Sequence, residues 1–186
     1  MLPCDSRRID TSLKVEAPAS IANIGPCFDI ASIAISAFKD EVEIGIKSGN
    51  GEIVIEVVDE VVPRGNQNTA FGAAKSLVET YKIKNLDILI NVKKGIPVAA
   101  GLGSSGATAA AVTFGLSKLL NINLSDEEMV YHAGNGEATV TEVPHYDNVS
   151  ASLFGGVNLV DPRSKQIIKL GTPSFSCFNY SKNKVR

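Results

Sequence analysis

The feature that most constrains this chain is a run of glycine and serine between a predicted strand and a predicted helix. Residues 101–106 read Gly-Leu-Gly-Ser-Ser-Gly, which is three glycines and two serines in six positions. Glycine lets the backbone adopt positive φ angles and approach a ligand closely. At a helix start, several N–H groups then converge where the helix dipole is positive, and this arrangement binds phosphate. The run therefore predicts a phosphate-binding loop; the alternative is a tight turn with an N-cap and no ligand.

Three known motifs compete for this loop, and each lacks a required part. A Walker P-loop needs a lysine after its last glycine, whereas alanine follows here. A hydrolase elbow needs GxSxG, and the frame centred on Ser105 ends in alanine. The dinucleotide fingerprint GxGxxG fits residues 101–106, but it should begin where its strand ends, and Pro97 separates the loop from the strand end near Val92.

Alternating apolar residues predict the strands. We expect the first strand, residues 13–17, to stop at Pro18 and a loop to occupy residues 19–29. Residues 40–47 and 53–57 alternate on either side of a glycine-rich turn, which predicts a β-hairpin. Further strands are predicted at residues 86–92, 157–160, 167–170 and 175–180.

Helical periodicity predicts four helices. The first is capped by Asn68 and runs to about Tyr81. The glycine loop passes into a second helix that ends near Leu120, and its alanines on every side predict burial all round. Ser125 and Glu128 form a capping box that starts the third helix, and residues 147–154 form a short fourth. Strands in groups, separated by helices, indicate an α+β fold.

Composition excludes several classes of protein. Apolar residues make up 44% and charged residues 20% of the 186 positions, as in a globular protein. The net charge of −2 gives no nucleic-acid footprint, and no apolar run is long enough to span a membrane. Cys4, Cys27 and Cys177 are widely spaced, which is typical of free thiols in a reducing cytoplasm.

Three stretches resemble one family of kinases. Residues 97–109, Pro-Val-Ala-Ala-Gly-Leu-Gly-Ser-Ser-Gly-Ala-Thr-Ala, are similar to the central motif of the GHMP kinases (galacto-, homoserine, mevalonate and phosphomevalonate kinases). Residues 17–29 resemble the first motif of the homoserine kinase branch, although Cys27 stands where that branch has glycine. Residues 144–149, followed by Phe-Gly-Gly at 154–156, resemble its second substrate segment.

The resemblance implies a fold like ribosomal protein S5 domain 2, with a left-handed βαβ crossover. It also implies ATP-dependent phosphorylation of the L-homoserine hydroxyl, a step of threonine biosynthesis, with ATP and Mg²⁺ as cofactors. The alternatives are another GHMP small-molecule kinase or a nucleotide-binding module without turnover. The expected partners are L-homoserine and ATP, with neither nucleic acid nor membrane, and a homodimer is an open alternative to a monomer.

The resemblance also assigns nucleotide and metal contacts. Asn68 is the position that contacts the adenine ring, and Lys94 packs on the base or steers the phosphates. Ser105 and Glu137 are the Mg²⁺ ligands; without the family, Glu137 would be a solvated helix carboxylate and Lys94 a solvated strand-end lysine. The remaining nucleotide contacts are Pro97, Val98, Ala99, Ala100, Gly101, Leu102, Gly103, Ser104, Gly106 and Ala107.

The substrate-side residues implied by the resemblance lie in the other two motifs. Asp29 and Asp147 meet the substrate ammonium or hydroxyl, Asn23 and Asn148 orient either group, and His145 belongs to the same segment. The residues alone favour turn residues for Asn23 and Asp29 and a helix cap for Asp147; the resemblance reverses this preference. Either carboxylate is a candidate general base.

The domain boundaries follow from the same motifs. Residues 1–12 are an extension or leader, 13–170 an ATP-binding domain, and 171–186 the start of a connection to a second domain. Family members are about twice the length of one domain, so we expect the chain to represent the N-terminal part and to be a poor kinase alone. A valine at Gly103 should block close phosphate approach and leave the fold mostly intact.

Overall fold

The computed structural model describes residues 10–58, 62–141 and 144–172. The predicted strand at 175–180 lies outside these ranges, as do Cys4 and Cys177. None of the helices in the described ranges has the length and hydropathy of a membrane-spanning segment. The strands are β1 (Thr11–Ile24), β2 (Cys27–Ser48), β3 (Ile53–Val57), β4 (Leu86–Lys93), β5 (Val157–Val160) and β6 (Ile167–Gly171), and the helices are α1 (Thr69–Thr80), α2 (Ser104–Leu119), α3 (Asp126–Thr141) and α4 (Tyr146–Phe154).

The strands form one mixed sheet. Its order is β3-β4-β2-β5-β6, and β1 pairs with β2. Only the β3–β4 pairing is parallel among the described strand pairs. Since α1 connects β3 to β4, these elements form the predicted βαβ unit, whose left hand stays a prediction. The α+β class is confirmed.

The predicted hairpin between β2 and β3 is wrong, because β4 lies between these strands. The turn that follows β2 is closed by Asp87 of β4. Its Oδ1 accepts three consecutive backbone N–H groups, from Asn50, Gly51 and Glu52, at 2.8, 3.1 and 3.0 Å. Alternation shows which face a strand buries but not which strand is its neighbour.

The predicted loop over residues 19–29 is also wrong, because most of it is strand. β1 continues past Pro18, and a register shift follows between Pro18 and Ala19. Proline is tolerated there because β1 has one hydrogen-bonded neighbour in the described sheet, β2. The longer β1 reaches the glycine loop, where the Ser20 N–H donates to the Leu102 carbonyl at 3.0 Å.

Helix α2 occupies the centre of the fold and packs against β1, β2 and the other three helices. Its residues 106–113 are all buried, as the alanine pattern predicts. Gly115 lies so close to the sheet that a Cβ there would come within 2.7 Å of Ile44 Cδ1. Gly136 of α3 similarly approaches Ala109, at 2.9 Å from a Cβ placed on the glycine. These contacts hold the middle and the C-terminal half of α2 close to α3 and to the sheet.

Candidate nucleotide site

A pocket of about 410 Å³ opens beside the N-terminus of α2. Residues 97–105 form much of its wall, and Asn23, Asn68, Lys94 and Asn148 also line it. The structure therefore brings together most of the nucleotide contacts implied by the resemblance. Gly106 and Ala107 do not line the pocket and lie buried within α2. The lining residues that the sequence did not single out are Ala22, Val62, Pro63, Gln67, Thr69, Thr108 and Val140.

The glycine loop has the backbone geometry of an anion site. Ala99, Gly101 and Gly103 have φ angles of 57°, 72° and 62°. Gly103 is the N-cap of α2 and offers no side-chain acceptor to the first turn. Because the first N–H groups of a helix have no intrahelical partner, they are available to an anion at this end of α2.

Ser105 and Glu137 form an oxygen pair next to this helix start. Glu137 is 4% exposed, and burial raises the pKa of its carboxyl, although the hydrogen bond from Ser105 and the nearby charge of Lys94 oppose the rise. His145 Nδ1 lies 3.7 Å from Glu137 Oε2. A solvated helix carboxylate, the alternative for Glu137, is therefore excluded.

This oxygen pair suits Mg²⁺. Mg²⁺ takes one or two protein oxygens and completes its shell with phosphates and water. In the described ranges no three His, Cys, Asp or Glu side chains gather into a metal cluster. Ser105 and Glu137 are therefore the residues beside the glycine loop whose oxygens could hold this ion.

Three of the substrate-side residues, His145, Asp147 and Asn148, lie at the start of α4. Asp147 is 1% exposed, and its Oδ1 accepts the Asn148 N–H at 2.7 Å. Burial raises the pKa of the Asp147 carboxyl, and the charge of Asp29 raises it further. The N-cap position is held by His145, not by Asp147, so the capping alternative for Asp147 is wrong.

Asn148 and Asn23 occupy different parts of the pocket wall. Asn148 Oδ1 accepts the Ser20 hydroxyl at 3.0 Å, which joins α4 to β1. Asn23 Oδ1 accepts the Asp29 N–H at 3.0 Å, and both residues have positive φ angles, 59° and 55°. Asn23 and Asp29 thus lie in the strand ends that flank the turn at residues 25–26, not in the turn itself, and Asn23 also lines the pocket.

Asn68 holds the opposite wall through both ends of its amide. Its Oδ1 accepts the Ala70 N–H at 2.9 Å, which confirms the predicted cap, and its Nδ2 donates to the Pro63 carbonyl at 2.7 Å. Asn68 thus fixes the loop before α1 at the edge of the pocket.

Lys94 is the pocket residue whose surroundings the sequence did not reveal. Its side chain is 5% exposed and forms an ion pair with Asp40, which is 0% exposed, so the solvated-lysine alternative is wrong. Asp40 was missed because Lys39-Asp-Glu41 looks like a polar strand start. A signal was present: Asp40 lies in phase with Val42 and Ile44, which puts a carboxylate on the buried face of β2.

The family of GHMP kinases N terminal domains matches residues 68–156. A homoserine kinase of Thermoplasma volcanium is 38% identical over 150 residues, which span 81% of this chain and 47% of that protein. One of Saccharolobus islandicus is 44% identical over 145 residues, 77% of this chain and 46% of that protein. The chain thus spans about half the length of these curated relatives.

Solved structures of two kinases superpose on this chain. The crystal structure of a homoserine kinase from Cytophaga hutchinsonii superposes with a TM-score of 0.79 at 30% identity, covering 94% of this chain and 56% of that one. A mevalonate kinase from Methanococcus jannaschii superposes with a TM-score of 0.65 at 18% identity, covering 87% of this chain and 56% of that one, which shows the shared fold alone.

Proposed function

Because the chain belongs to the GHMP kinases, through their N-terminal domain, we propose that it serves the ATP-dependent phosphorylation of the L-homoserine hydroxyl. The observation that carries this proposal is the glycine loop at the start of α2, next to the buried carboxylate of Glu137, whose pKa the Ser105 hydroxyl lowers. Identities of 38–44% to homoserine kinases support homoserine over other GHMP substrates. Residues 13–170 constitute the nucleotide-binding domain in this proposal.

The nucleotide lies in the pocket with its phosphates on residues 97–105. The first-turn N–H groups of α2 bind phosphate oxygens, and the wall held by Asn68 flanks the adenine. Ser105 and Glu137 would hold Mg²⁺, which when bound would supply positive charge next to the phosphate oxygens. Phosphoryl transfer needs mainly positioning and charge compensation, and this wall supplies both.

Homoserine lies on the side of the pocket formed by Asn23, Asn148 and the start of α4. Asp147 and Asp29 bind its ammonium or accept its hydroxyl proton, and His145, which lies 3.7 Å from Glu137 Oε2, belongs to the same segment as Asp147. Because burial raises the pKa of Asp147, this carboxyl accepts a proton more readily than an exposed aspartate does. We place the reaction in the cytoplasm, as a step of threonine biosynthesis, in a monomer or a homodimer.

The test compares the rates of ADP release by the chain with ATP, Mg²⁺ and one alcohol at a time; because the chain alone is expected to be a poor kinase, the ratio of the rates and not their size identifies the substrate. We expect L-homoserine to raise the rate at least about tenfold above mevalonate or galactose, a difference of about 1.4 kcal/mol in transition-state stabilisation. Equal rates with all three alcohols would contradict the assignment of homoserine. ATP binding without release for any alcohol would favour a nucleotide-binding module.

A further inference from the structure

A buried carboxylate holds both ends of the glycine loop. Asp40 Oδ1 accepts the N–H groups of Gly95 and Ile96 at 3.0 Å each, where the chain leaves β4. Asp40 Oδ2 accepts the Thr108 hydroxyl at 3.0 Å, one turn into α2. The same Oδ2 pairs with the Lys94 ammonium. One side chain on β2 therefore contacts the entry to the loop and the helix that follows it.

Lys94 extends this link to the first residue of α2. Its ammonium donates to the Ser104 carbonyl and to the Thr108 hydroxyl, each at 2.8 Å. Lys94 and Thr108 also line the pocket. The ammonium is thus held by oxygens of three residues at a defined place in the pocket wall.

The glycine loop between the residues that Asp40 and Lys94 contact has a strained backbone. Ala99 has a φ of 57° although it carries a Cβ, and this conformation is unfavourable for alanine. Strained backbone persists where its surroundings hold it. The entry to the loop is also close to β2, since a Cβ at Gly95 would overlap the Lys39 carbonyl.

We propose that Asp40 is a positioning residue for the phosphate site, which acts by holding the loop and the Lys94 ammonium in the shape that binds the triphosphate. The inference rests on the proposed nucleotide function. It gives Asp40 a role that acts through Lys94, Gly95 and Thr108 and requires no contact between Asp40 and the ligand.

The direction in which ATP affinity changes in Asp40→Asn distinguishes a positioning role of Asp40 from a purely electrostatic one. If Asp40 acted only through its field, then Asp40→Asn would leave the positive charge of Lys94 uncompensated and ATP would bind more tightly. If Asp40 positions the loop, the same change weakens ATP binding. In the proposed binding mode the adenine lies at the wall held by Asn68 and not at this anchor, so the affinity for adenosine should change little if Asp40 positions the loop.

The experiment measures ATP and adenosine affinities for the full 186-residue chain, well below the unfolding temperature. We expect Asp40→Asn to lower ATP affinity about tenfold or more and to leave adenosine affinity within about twofold, because charge-assisted hydrogen bonds to the loop are lost. If Asp40→Asn only made the fold less stable, the affinities for ATP and adenosine would fall by the same factor or would not change.

Asp87→Asn is the matched control. Asp87 likewise accepts consecutive backbone N–H groups with one carboxylate oxygen, but at the turn after β2, and it does not line the pocket. It should lower stability without changing the ratio of ATP to adenosine affinity. Thr108→Val, which keeps the carboxylate, gives a second and smaller loss of ATP affinity if Asp40→Asn does not fold.

Two results would overturn the inference. Unchanged or tighter ATP binding by Asp40→Asn, with a wild-type chain that binds ATP, would overturn the positioning role alone. A wild-type chain that does not bind ATP would overturn the proposed function and this inference with it.

Discussion

At the scale of single residues, Glu137 was placed by the family motif alone. The structure adds that its carboxylate is buried, that its Oε2 lies 3.7 Å from His145 Nδ1, and that the Ser105 hydroxyl lowers its pKa. No periodicity could have shown this, because an amphipathic pattern on α3 does not distinguish a solvated glutamate from one that faces α2. Asp40 is the opposite case, since its position on an apolar face was visible in the sequence.

Glu137→Gln should stabilise the metal-free chain at neutral pH. The native pKa of Glu137 lies above the ordinary value of 4.5 because the carboxyl is buried. The native state therefore binds more protons than the unfolded state above pH 4.5, and stability falls as pH rises toward the native pKa. Glutamine does not ionise, so it removes the cost of burying a charged carboxylate. Each kcal/mol gained in the free energy of unfolding raises the unfolding temperature by roughly 2–4 °C for a domain of this size.

The measurement is thermal unfolding in EDTA at pH 5 and pH 7.5. The difference between Glu137→Gln and wild type should be larger at pH 7.5, and Glu127→Gln, an exposed position on the same helix, serves as control. If Glu137→Gln is less stable than wild type at both pH values, the prediction is wrong, and contacts in the native state outweigh the cost of burying the Glu137 carboxylate.

At the scale of elements, the helices were predictable and the sheet pairing was not. The Asn68 cap, the Ser125–Glu128 capping box and the buried α2 are confirmed, because caps and helical periodicity are local signals. The extent of β1 and the insertion of β4 between β2 and β3 depend on distant partners. Such pairings leave no mark within a window of ten residues.

Gly101→Ala tests phosphate binding by the glycine loop better than the valine at Gly103 that the sequence suggests. A Cβ at Gly103 would overlap Ser20 Oγ, and Gly103 has a positive φ, so Gly103→Val disturbs the fold as well as the ligand. Gly101 has a φ of +72°, lines the pocket, and a Cβ there would meet no described atom within 4 Å. Gly101→Ala should lower ATP affinity several-fold at a stability cost of roughly 1–2 kcal/mol.

Gly51→Ala is the control for backbone strain. Gly51 also has a positive φ, +95°, with no described atom within 4 Å of a Cβ, and it lies outside the pocket. Both alanine variants should lose similar stability by denaturant unfolding, and only Gly101→Ala should lose ATP affinity. Equal ATP affinity for both variants would favour the alternative interpretation, in which the glycine loop is a tight turn that binds no ligand.

At the scale of the whole molecule, the fold brings five distant segments to one pocket. The end of β1, the loop before α1, the glycine loop, the end of α3 and the start of α4 all contribute to its wall, and α3 also carries the buried Glu137. The family motifs predicted these segments separately, and their convergence depends on α2 packing against every other helix. The central claim is that this convergence forms a site for ATP with Mg²⁺.

The most direct test of that claim is a calorimetric titration of the chain with ATP, with free Mg²⁺ and then with EDTA, for wild type and Glu137→Gln. We predict that Mg²⁺ tightens ATP binding to wild type about tenfold or more and that most of this gain is absent in Glu137→Gln, because the carboxylate ligand is gone. The same gain from Mg²⁺ in both proteins would contradict the account.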